Sequence, residues 1–271
     1  MPSSRSPAEP PLDRRGRRRQ ETIEEILDAA VAIMAAEGAG GLSLGELARR
    51  IGVRPPSLYV YFDSKNALYD AIFARGWAAA LDAVVTCEER FPDPDDVAAK
   101  ALVTAEEFAR WAIANPAYAQ LMFWRPVPGF EPSAQAYAPA VELMRRTTDM
   151  LGVLQSHGVL RADVDVAEAV GAWTSLVSGV ISQQLSNAPD ESFDDGSFTR
   201  LLPRLLSMFL LYYGPQNFGP DNALGERRND GGAIDGAARP RGSDDGAKAS
   251  RSVGDGAARR APGAAARPRR R

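Results

Sequence analysis

The segment from Leu42 to Lys65 constrains the fold of this chain more than any other, because it specifies two short helices joined by a tight turn. Ser43 and Glu46 have the spacing of a capping box, in which a hydroxyl and a carboxylate satisfy backbone N–H groups at a helix start. An apolar stripe at helical spacing follows, made of Leu44, Leu47, Ala48 and Ile51. Gly52 then stands where a left-handed turn residue is wanted, and Pro55 begins a new helix at a position that needs no N–H donor.

The second of these helices is predicted to span 55–62 and to present a polar, aromatic face. Leu58 and Phe62 are spaced i and i+4, so both are expected to point inward while the residues between them face outward. That outward face carries two tyrosines and a serine, with Lys65 just beyond, and these donors suit the phosphate backbone of DNA. We therefore interpret the segment as a helix-turn-helix whose second helix reads the major groove.

Composition excludes several classes of protein. Of the 271 residues 45% are hydrophobic, enough for a sizeable core, yet the sequence has no run of 18 or more apolar residues that would span a membrane. Cys87 is the only cysteine, which excludes an internal disulfide and any zinc site built on several cysteines. The amino-terminal stretch is rich in Pro, Ser and Arg without an apolar core, so we expect no secretory signal and a cytoplasmic location.

The formal net charge of −3 is unevenly distributed along the chain. Residues 1–66 hold 10 basic and 9 acidic side chains, residues 67–220 hold 10 and 19, and residues 221–271 hold 12 and 7. The acidity therefore lies in the middle of the chain and does not argue against DNA binding. Five arginines directly precede the first predicted helix, where a phosphate is within reach: Arg14, Arg15, Arg17, Arg18 and Arg19. The alternative is a solvated arm that contacts nothing.

Hydrophobic periodicity, together with the positions of Pro and Gly, predicts an all-α fold. We expect a disordered Arg-rich arm at 1–19, a helix-turn-helix DNA-binding domain at 20–80, a second helical domain at 81–213, and a disordered tail at 214–271. Outside the helix-turn-helix at 43–62, the predicted helices run over 21–37, 64–87, 95–115, 117–124, 133–156, 165–187 and 193–213.

Several stretches of the sequence are similar, in order and spacing, to the TetR family of transcriptional regulators. They are Ile-Leu-Asp-Ala-Ala at 26–30, Gly38, Leu-Ala-Arg-Arg-Ile-Gly-Val at 47–53, and Leu-Tyr-Val-Tyr-Phe-Asp-Ser-Lys-Asn-Ala-Leu at 58–68. Two later stretches, at 126–130 and 172–180, resemble one ligand-domain subgroup of that family, whose late helix carries a Trp and a Gly near these places.

The resemblance implies a three-helix DNA-binding domain joined by a linking helix to a helical bundle that binds a small-molecule effector. It implies a homodimer formed through the last two helices, bound to a palindromic operator in double-stranded DNA as a repressor and released by the effector. The DNA-binding residues that it implies are Ser43, Leu44, Gly45, Arg54, Pro55, Pro56, Ser57, Tyr59, Val60, Tyr61 and Lys65.

Two departures from the family pattern bear on which bases are read. Gly45 replaces the longer polar side chain that many relatives use for a base contact, so that contact is expected to be missing. Pro55 and Pro56 leave no side-chain amide to read adenine, and their rings are expected to pack against thymine methyl groups. Arg54 is then the best candidate for a bidentate contact with guanine.

Six large aromatic residues are candidates for the wall of a ligand pocket, since a pocket is an unfilled part of a core. They are Trp111, Tyr118, Phe123, Trp124, Phe130 and Trp173, of which we expect two or three to face a ligand. Plain core packing is the alternative for each. Small and apolar residues on the helices at 165–187 and 193–213 fit the dimer interface, for which an internal packing face is the alternative.

Two other functions stay open at this point. One is an all-α enzyme in which the N-terminal unit is only a packing module, and the other is a DNA-binding regulator that needs no effector or that acts as an activator. An enzyme requires convergent titratable groups, whereas this sequence has one histidine and scattered carboxylates. That histidine, His157, precedes Gly158 at a helix end, where capping is a better role than metal binding. We predict no catalytic residues, no metal and no cofactor.

Overall fold

The structure of the protein, a computed structural model, describes residues 13–93 and 95–215. The regular elements within these ranges are helices, which confirms the predicted all-α fold. The nine α-helices there are α1 (Arg14–Glu37), α2 (Leu44–Arg50), α3 (Pro55–Leu58), α4 (Lys65–Arg90), α5 (Val97–Ala114), α6 (Pro116–Trp124), α7 (Ala134–Ser156), α8 (Val166–Asn187) and α9 (Leu202–Tyr213). Among these helices, none combines the length and the apolar character that crossing a membrane requires.

The first hydrophobic core forms where α1, α2, α3 and the first half of α4 pack together. Its members include Ile26, Leu47, Leu58 and Leu68, each at most 4% exposed. The same core also contains residues of α6 and the start of α7, so residue 80, the predicted domain boundary, marks no break in the packing. That boundary falls inside α4, which continues without interruption to Arg90.

A second core lies between α5, the second half of α7, α8 and α9. Leu151, Leu154, Ile181, Leu202 and Leu206 are completely buried in it. Because α4 packs extensively on α5 and α7 while its first turns belong to the first core, this one helix connects the helix-turn-helix to the rest of the described chain.

The N-terminal part of α1 corrects one prediction. The chain is expected to be disordered through residue 19, but α1 begins at Arg14, six residues before the first residue expected to be ordered. Asp13 is the N-cap, and its carboxylate accepts the Gly16 N–H at 2.6 Å. A capping carboxylate and a run of arginines, which are good helix formers, extend the helix into the arm. Residues 1–12 and 216–271, the remainder of the predicted arm and tail, lie outside the described residues.

Two further local predictions differ from the structure. Ser43 occupies the N-cap of α2, but its side chain makes no capping hydrogen bond. The Glu46 carboxylate, which would supply the other half of the capping box, instead accepts two bonds from Arg49 at 2.9 and 2.6 Å. The last helix begins at Leu202 rather than 193. Before it, the completely buried Gln184 side chain accepts the Phe198 N–H at its Oε1 at 2.9 Å, and a single 3-10 turn, Thr199–Leu201, leads into the helix.

Candidate DNA-binding face and internal cavity

The turn between α2 and α3 is closed by backbone geometry that its sequence favours. Gly52 adopts φ of 72°, and the next amide, that of Val53, donates to the Ala48 carbonyl at 2.9 Å. The second helix of the motif is regular only from Pro55 to Leu58, shorter than the predicted 55–62. Hydrogen-bonded turns then continue it, since the amides of Tyr61 and Phe62 both donate to the Leu58 carbonyl.

The predicted DNA-contacting residues are brought together on the outer side of this motif. Leu58 is 3% exposed and anchors the second helix, whereas Tyr59 is 52% and Val60 70% exposed. The other exposed members are Ser43, Gly45, Arg54, Pro55, Pro56 and Ser57. Leu44 is half-buried against the first core, because its side chain belongs to the inner stripe of α2.

Tyr61 and Lys65 are less exposed than the sequence predicted. Tyr61 was expected to face outward like Tyr59, but it is half-buried against the first core. The Arg19 guanidinium lies over its ring, 5.6 Å from the centroid. Lys65, the first residue of α4, places its ammonium group 5.5 Å from the Tyr69 ring centroid. Both residues lie at the rim of the exposed face, each beside an aromatic–cation contact.

Arg75 connects three helices at the joint between the two cores. From α4 its guanidinium reaches Glu24 at 3.0 Å and Asp28 at 2.8 Å on α1, and its Nε donates to the Tyr118 hydroxyl on α6 at 2.6 Å. Burial by itself lowers the pKa of Arg75, but the hydrogen bonds to its three partners outweigh burial and raise it. The guanidinium is therefore charged at any accessible pH.

A second polar link joins α4 to the start of α7. The two carboxylate oxygens of Asp70 accept the backbone N–H and the hydroxyl of Ser133, both at 2.7 Å. The Ser133 hydroxyl in turn accepts the Ala136 N–H at 3.1 Å, which caps α7. These bonds attach the N-terminal end of α7 directly to the second turn of α4.

A cavity of about 350 Å³ lies between α4, α5, α7 and α8, with α6 contributing one side chain. Five aromatic rings form much of its wall: Trp77, Phe108, Phe123, Tyr137 and Trp173. The Trp77 ring stacks on Phe108 at 6.3 Å between centroids and meets Phe123 edge-on at 5.8 Å. The Trp77 indole Nε1 is buried and has no hydrogen-bond partner among the described residues.

The polar part of the cavity wall is concentrated around one ion pair. Glu88 of α4 and Arg146 of α7 approach to 2.6 Å, and Arg146 also contacts Glu142 at 3.1 Å. A hydrogen bond from Arg145 lowers the pKa of Glu142 to about 2, with a smaller contribution from Arg146. Three threonine hydroxyl groups also line the wall: Thr104, Thr147 and Thr174. Those of Thr147 and Thr174 donate to the Leu143 and Val170 carbonyls at 3.0 and 2.8 Å, so toward the cavity they offer acceptor oxygens.

Two of the six predicted pocket aromatics, Phe123 and Trp173, line this cavity. The other four lie elsewhere. Tyr118 and Phe130 are buried in the first core, Trp111 packs on Tyr118 with 6.2 Å between ring centroids, and Trp124 is 38% exposed. Their places depend on how the helices pack: on α6, Tyr118 meets α4 while Phe123 faces the cavity, a difference that residue type alone does not reveal.

Sequence reasoning missed several residues of the cavity wall, above all Trp77 of α4 and Tyr137 on α7. The sequence did contain a signal that α7 contributes to the cavity wall. Tyr137, Val141 and Met144 continue an apolar stripe at helical spacing, yet they remain 37%, 64% and 46% exposed. Apolar residues that a helix leaves uncovered mark an open cavity mouth or a contact surface.

The outer side of α8 and α9 combines small and large apolar residues. Gly171, Ser175 and Gly179 lie exposed along α8. On α9, Met208 is 62% and Leu211 57% exposed. A flat strip of small residues beside protruding apolar side chains is suited to close helix–helix packing.

Two family models cover most of the described residues. The model of bacterial regulatory proteins of the tetR family matches residues 26–72, and the model of the tetracyclin repressor-like C-terminal domain matches residues 101–205. The chain belongs to the TetR family of transcriptional regulators. This TetR-family assignment places the helix-turn-helix in the first matched range and the cavity helices α5, α7 and α8 in the second.

Individual relatives agree with the assignment. The TetR-family chain is 28% identical over 159 residues to the HTH-type transcriptional regulator Rv1816 of Mycobacterium tuberculosis, covering 56% of this chain and 66% of that one. It is 34% identical over 84 residues to the HTH-type transcriptional repressor DrrR1 of Streptomyces coeruleorubidus, covering 26% and 31%. The chain thus spans from about a third to just under two thirds of the length of these curated relatives.

A solved structure shares the fold. The transcriptional regulator FadR from Bacillus subtilis, crystallised in complex with stearoyl-CoA, matches with a TM-score of 0.58 at 14% identity over 69% of this chain and 97% of that one. At this identity the match supports the fold of the TetR-family chain and nothing finer.

Proposed function

We propose that this protein is a cytoplasmic, homodimeric repressor that binds a palindromic operator and is released from it by an apolar small molecule. One observation carries the proposal: a single helix, α4, contributes its first turns to the helix-turn-helix core and its later turns to the cavity wall. Leu68 and Ile72 belong to the first core, and Trp77, Val84 and Glu88 line the cavity. A ligand that displaces the later turns therefore acts directly on the support of the DNA-binding face.

The exposed face of the helix-turn-helix supports different roles for its residues at the operator, some contacting bases and others phosphates. Arg54 precedes the two prolines, is exposed, and carries the planar donors that match guanine in the major groove. Tyr59, with half of its surface exposed, is placed for a phosphate. Ser43, Leu44 and Gly45 lie at the start of α2, near the backbone, with the Pro55 and Pro56 rings left for thymine methyl contacts.

The wall of the cavity indicates the chemistry of the effector. Aromatic and aliphatic side chains dominate, so most of the binding free energy comes from burying apolar surface. The volume of about 350 Å³ lies at the small end of the range for ligand pockets. The charged groups of the wall, Glu88 and Arg146, favour a polar group at their end of the effector, and the unpartnered Trp77 Nε1 offers one further donor. We infer an effector with an apolar body and a single polar end.

Two polar links support a path from the cavity to the DNA-binding face. Tyr137 lines the cavity and its ring packs on Phe73 of α4 at 4.9 Å, near the Asp70–Ser133 link. Arg75, two residues further along α4, holds α1 through Glu24 and Asp28. Movement of α7 or α4 on effector binding thus reaches α1 through contacts that are direct at every step.

The α8–α9 surface supports dimerisation through the last two helices. Two copies of this surface, related by a twofold axis, bury Met208 and Leu211 against each other and against the small residues of α8. A twofold dimer is also what a palindromic operator requires, because each half-site then meets an identical reading head.

The test begins with the DNA. Purified full-length protein is used to select duplexes from a randomised library, and the recovered sequences are expected to be palindromic. Arg54→Ala is then expected to cost about 1–3 kcal/mol at one base position of each half-site and to relax specificity there. If no duplex is enriched at low salt, the proposed function fails. If Arg54→Ala weakens binding equally on all sequences, Arg54 is a phosphate contact only.

Release of the DNA by an effector is tested in a separate experiment. A panel of apolar compounds with one polar end is added to the protein–duplex complex, and release is followed by fluorescence anisotropy. Release should be lost when the cavity is filled by substitution. A protein that keeps its duplex in the presence of every compound that occupies the cavity would be a DNA-binding regulator independent of these effectors.

A further inference from the structure

The first two turns of α1 carry a dense cluster of positive charge that the helix-turn-helix does not use. Five of the first six residues of α1 are arginines, and all five are exposed: Arg14, Arg15, Arg17, Arg18 and Arg19. Within the described ranges, no carboxylate lies within ion-pair distance of any of them. Like charges at i and i+4 destabilise a helix, so an external anion would relieve a repulsion that the free protein carries.

One of these arginines is attached to the DNA-binding face. The Arg19 guanidinium lies 5.6 Å from the centroid of the Tyr61 ring, and its Nη2 is 3.5 Å from the Val60 carbonyl oxygen. A cation over an aromatic ring is attracted to it, which restricts the guanidinium to the side of the motif that carries Tyr59 and Val60. Arg19 therefore extends the predicted phosphate-contacting surface by one residue from another helix.

Helical geometry selects a second arginine and excludes two others. At about 100° per residue, Arg15 lies one turn before Arg19, within about 40° of it and about 6 Å further along the axis. Arg14 and Arg17 lie about 140–160° away, on the opposite side of the helix. Arg18 lies between the two sides. The direction of Arg19 thus assigns Arg15 to the DNA side and Arg14 and Arg17 to the solvent side.

We propose that Arg15 and Arg19 form a phosphate clamp on the DNA backbone flanking each half-site, outside the base pairs read by the helix-turn-helix. The clamp rests on the proposed function, since it needs a bound duplex. Its ligand is the phosphodiester backbone in general, and it adds affinity without adding base specificity. Because α1 is a preformed helix here, the two guanidinium groups are positioned before the duplex arrives.

The test compares two double variants that remove equal charge from the same helix. Arg15→Ala/Arg19→Ala removes the clamp, and Arg14→Ala/Arg17→Ala is the matched control on the opposite side. Operator affinity of the full-length proteins is measured between 50 and 200 mM salt, about the range over which phosphate contacts dominate, on the duplex selected by the unmodified protein. Far-UV circular dichroism verifies that helix content is unchanged, as alanine favours helix.

Counterion release sets the expected result. Each lost phosphate contact reduces the slope of log affinity against log salt by about 0.9, so a dimer losing four contacts shows a slope shallower by about 3 to 4. The control is expected to change the slope by less than one. Ethylation of phosphates outside the half-sites should interfere with binding of the unmodified protein and not with binding of Arg15→Ala/Arg19→Ala.

Two results would overturn the clamp. Equal slopes for both double variants would mean that the arginines act only through general charge, and an unchanged slope for Arg15→Ala/Arg19→Ala would mean that they contact no phosphate. In both cases the unmodified protein still binds its duplex, so the proposed function survives. Failure of the unmodified protein to select any duplex is a different result and refutes the proposed function itself.

Discussion

Replacing Gly76 by alanine tests the packing of α4 on α6, the joint through which the two cores meet. A Cβ atom at this position would lie 2.7 Å from Tyr118 Cδ1 and 2.9 Å from Met122 Sδ. The methionine has flexible torsions with which to move away. The Tyr118 ring does not, because Arg75 holds its hydroxyl at 2.6 Å. The added methyl group must therefore push the two helices apart or break that hydrogen bond.

Two opposing contributions decide whether Gly76→Ala raises or lowers the free energy of unfolding. Gly to Ala inside a helix stabilises the folded state by about 0.5–1 kcal/mol through backbone entropy. Overpacking a well-filled contact costs about 1–3 kcal/mol. Overpacking wins, and Gly76→Ala is expected to lower the free energy of unfolding by about 0.5–2 kcal/mol.

The matched control is Gly152→Ala in α7. Gly152 is also an interior helix residue, but a Cβ there meets nothing within 4 Å, so only the entropic gain of about 0.5–1 kcal/mol remains. Urea unfolding followed by circular dichroism gives the free energy of unfolding of both variants. All measurements use one fixed protein concentration, because the proposed dimer makes stability depend on concentration. The reasoning is refuted if Gly76→Ala is as stable as Gly152→Ala.

Three further outcomes are expected. Arg75→Met leaves the buried Tyr118 hydroxyl without its donor and should reduce the free energy of unfolding by about 1–3 kcal/mol in urea titrations. An unchanged midpoint would mean that the three-helix link contributes nothing to stability. Burial, helped by a hydrogen bond to a carboxylate, raises the pKa of Tyr213 to about 12. The folded state therefore favours the neutral phenol, and the free energy of unfolding should fall as pH rises from about 10 toward 12. In thermal melts Tyr213→Phe should make that fall less steep, and an equally steep fall would reject the assignment. Val177→Phe narrows the cavity and should weaken binding of the neutral dye N-phenyl-1-naphthylamine at least tenfold in fluorescence titrations. The control is Val103→Phe, on the exposed side of α5. Equal binding by both variants would show that the dye, and the proposed effector site, lie elsewhere.

The helix-turn-helix was accessible from sequence because its signals are local. A glycine in the turn, a proline at the next helix start and apolar residues at i and i+4 each act on their near neighbours along the chain. The positions of Gly52, Pro55 and Leu58 in the structure agree with that reading, although the regular helix ends four residues early. Helices α5 to α8 begin within two residues of the predicted positions for the same reason.

The cavity was not accessible in the same way. Aromatic residues such as Phe123 and Tyr118 lie close together on α6 and look alike in sequence, yet one lines the cavity and the other is hydrogen-bonded in the first core. Which side of a helix meets a neighbour depends on how the helices cross, and no residue carries that information alone. The same holds for Trp77, whose role follows only from the path of α4.

Sequence by itself determined the all-helical architecture, the reading motif and the family, since each depends on short-range spacing of residue types. Tertiary structure alone decided where the interior stays unfilled, which arginines of α1 share a side with Tyr61, and how α4 connects cavity and DNA-binding face. The physical reason is that backbone capping and periodicity are settled within a few residues. Voids and the directions of side chains are settled only when distant helices pack together.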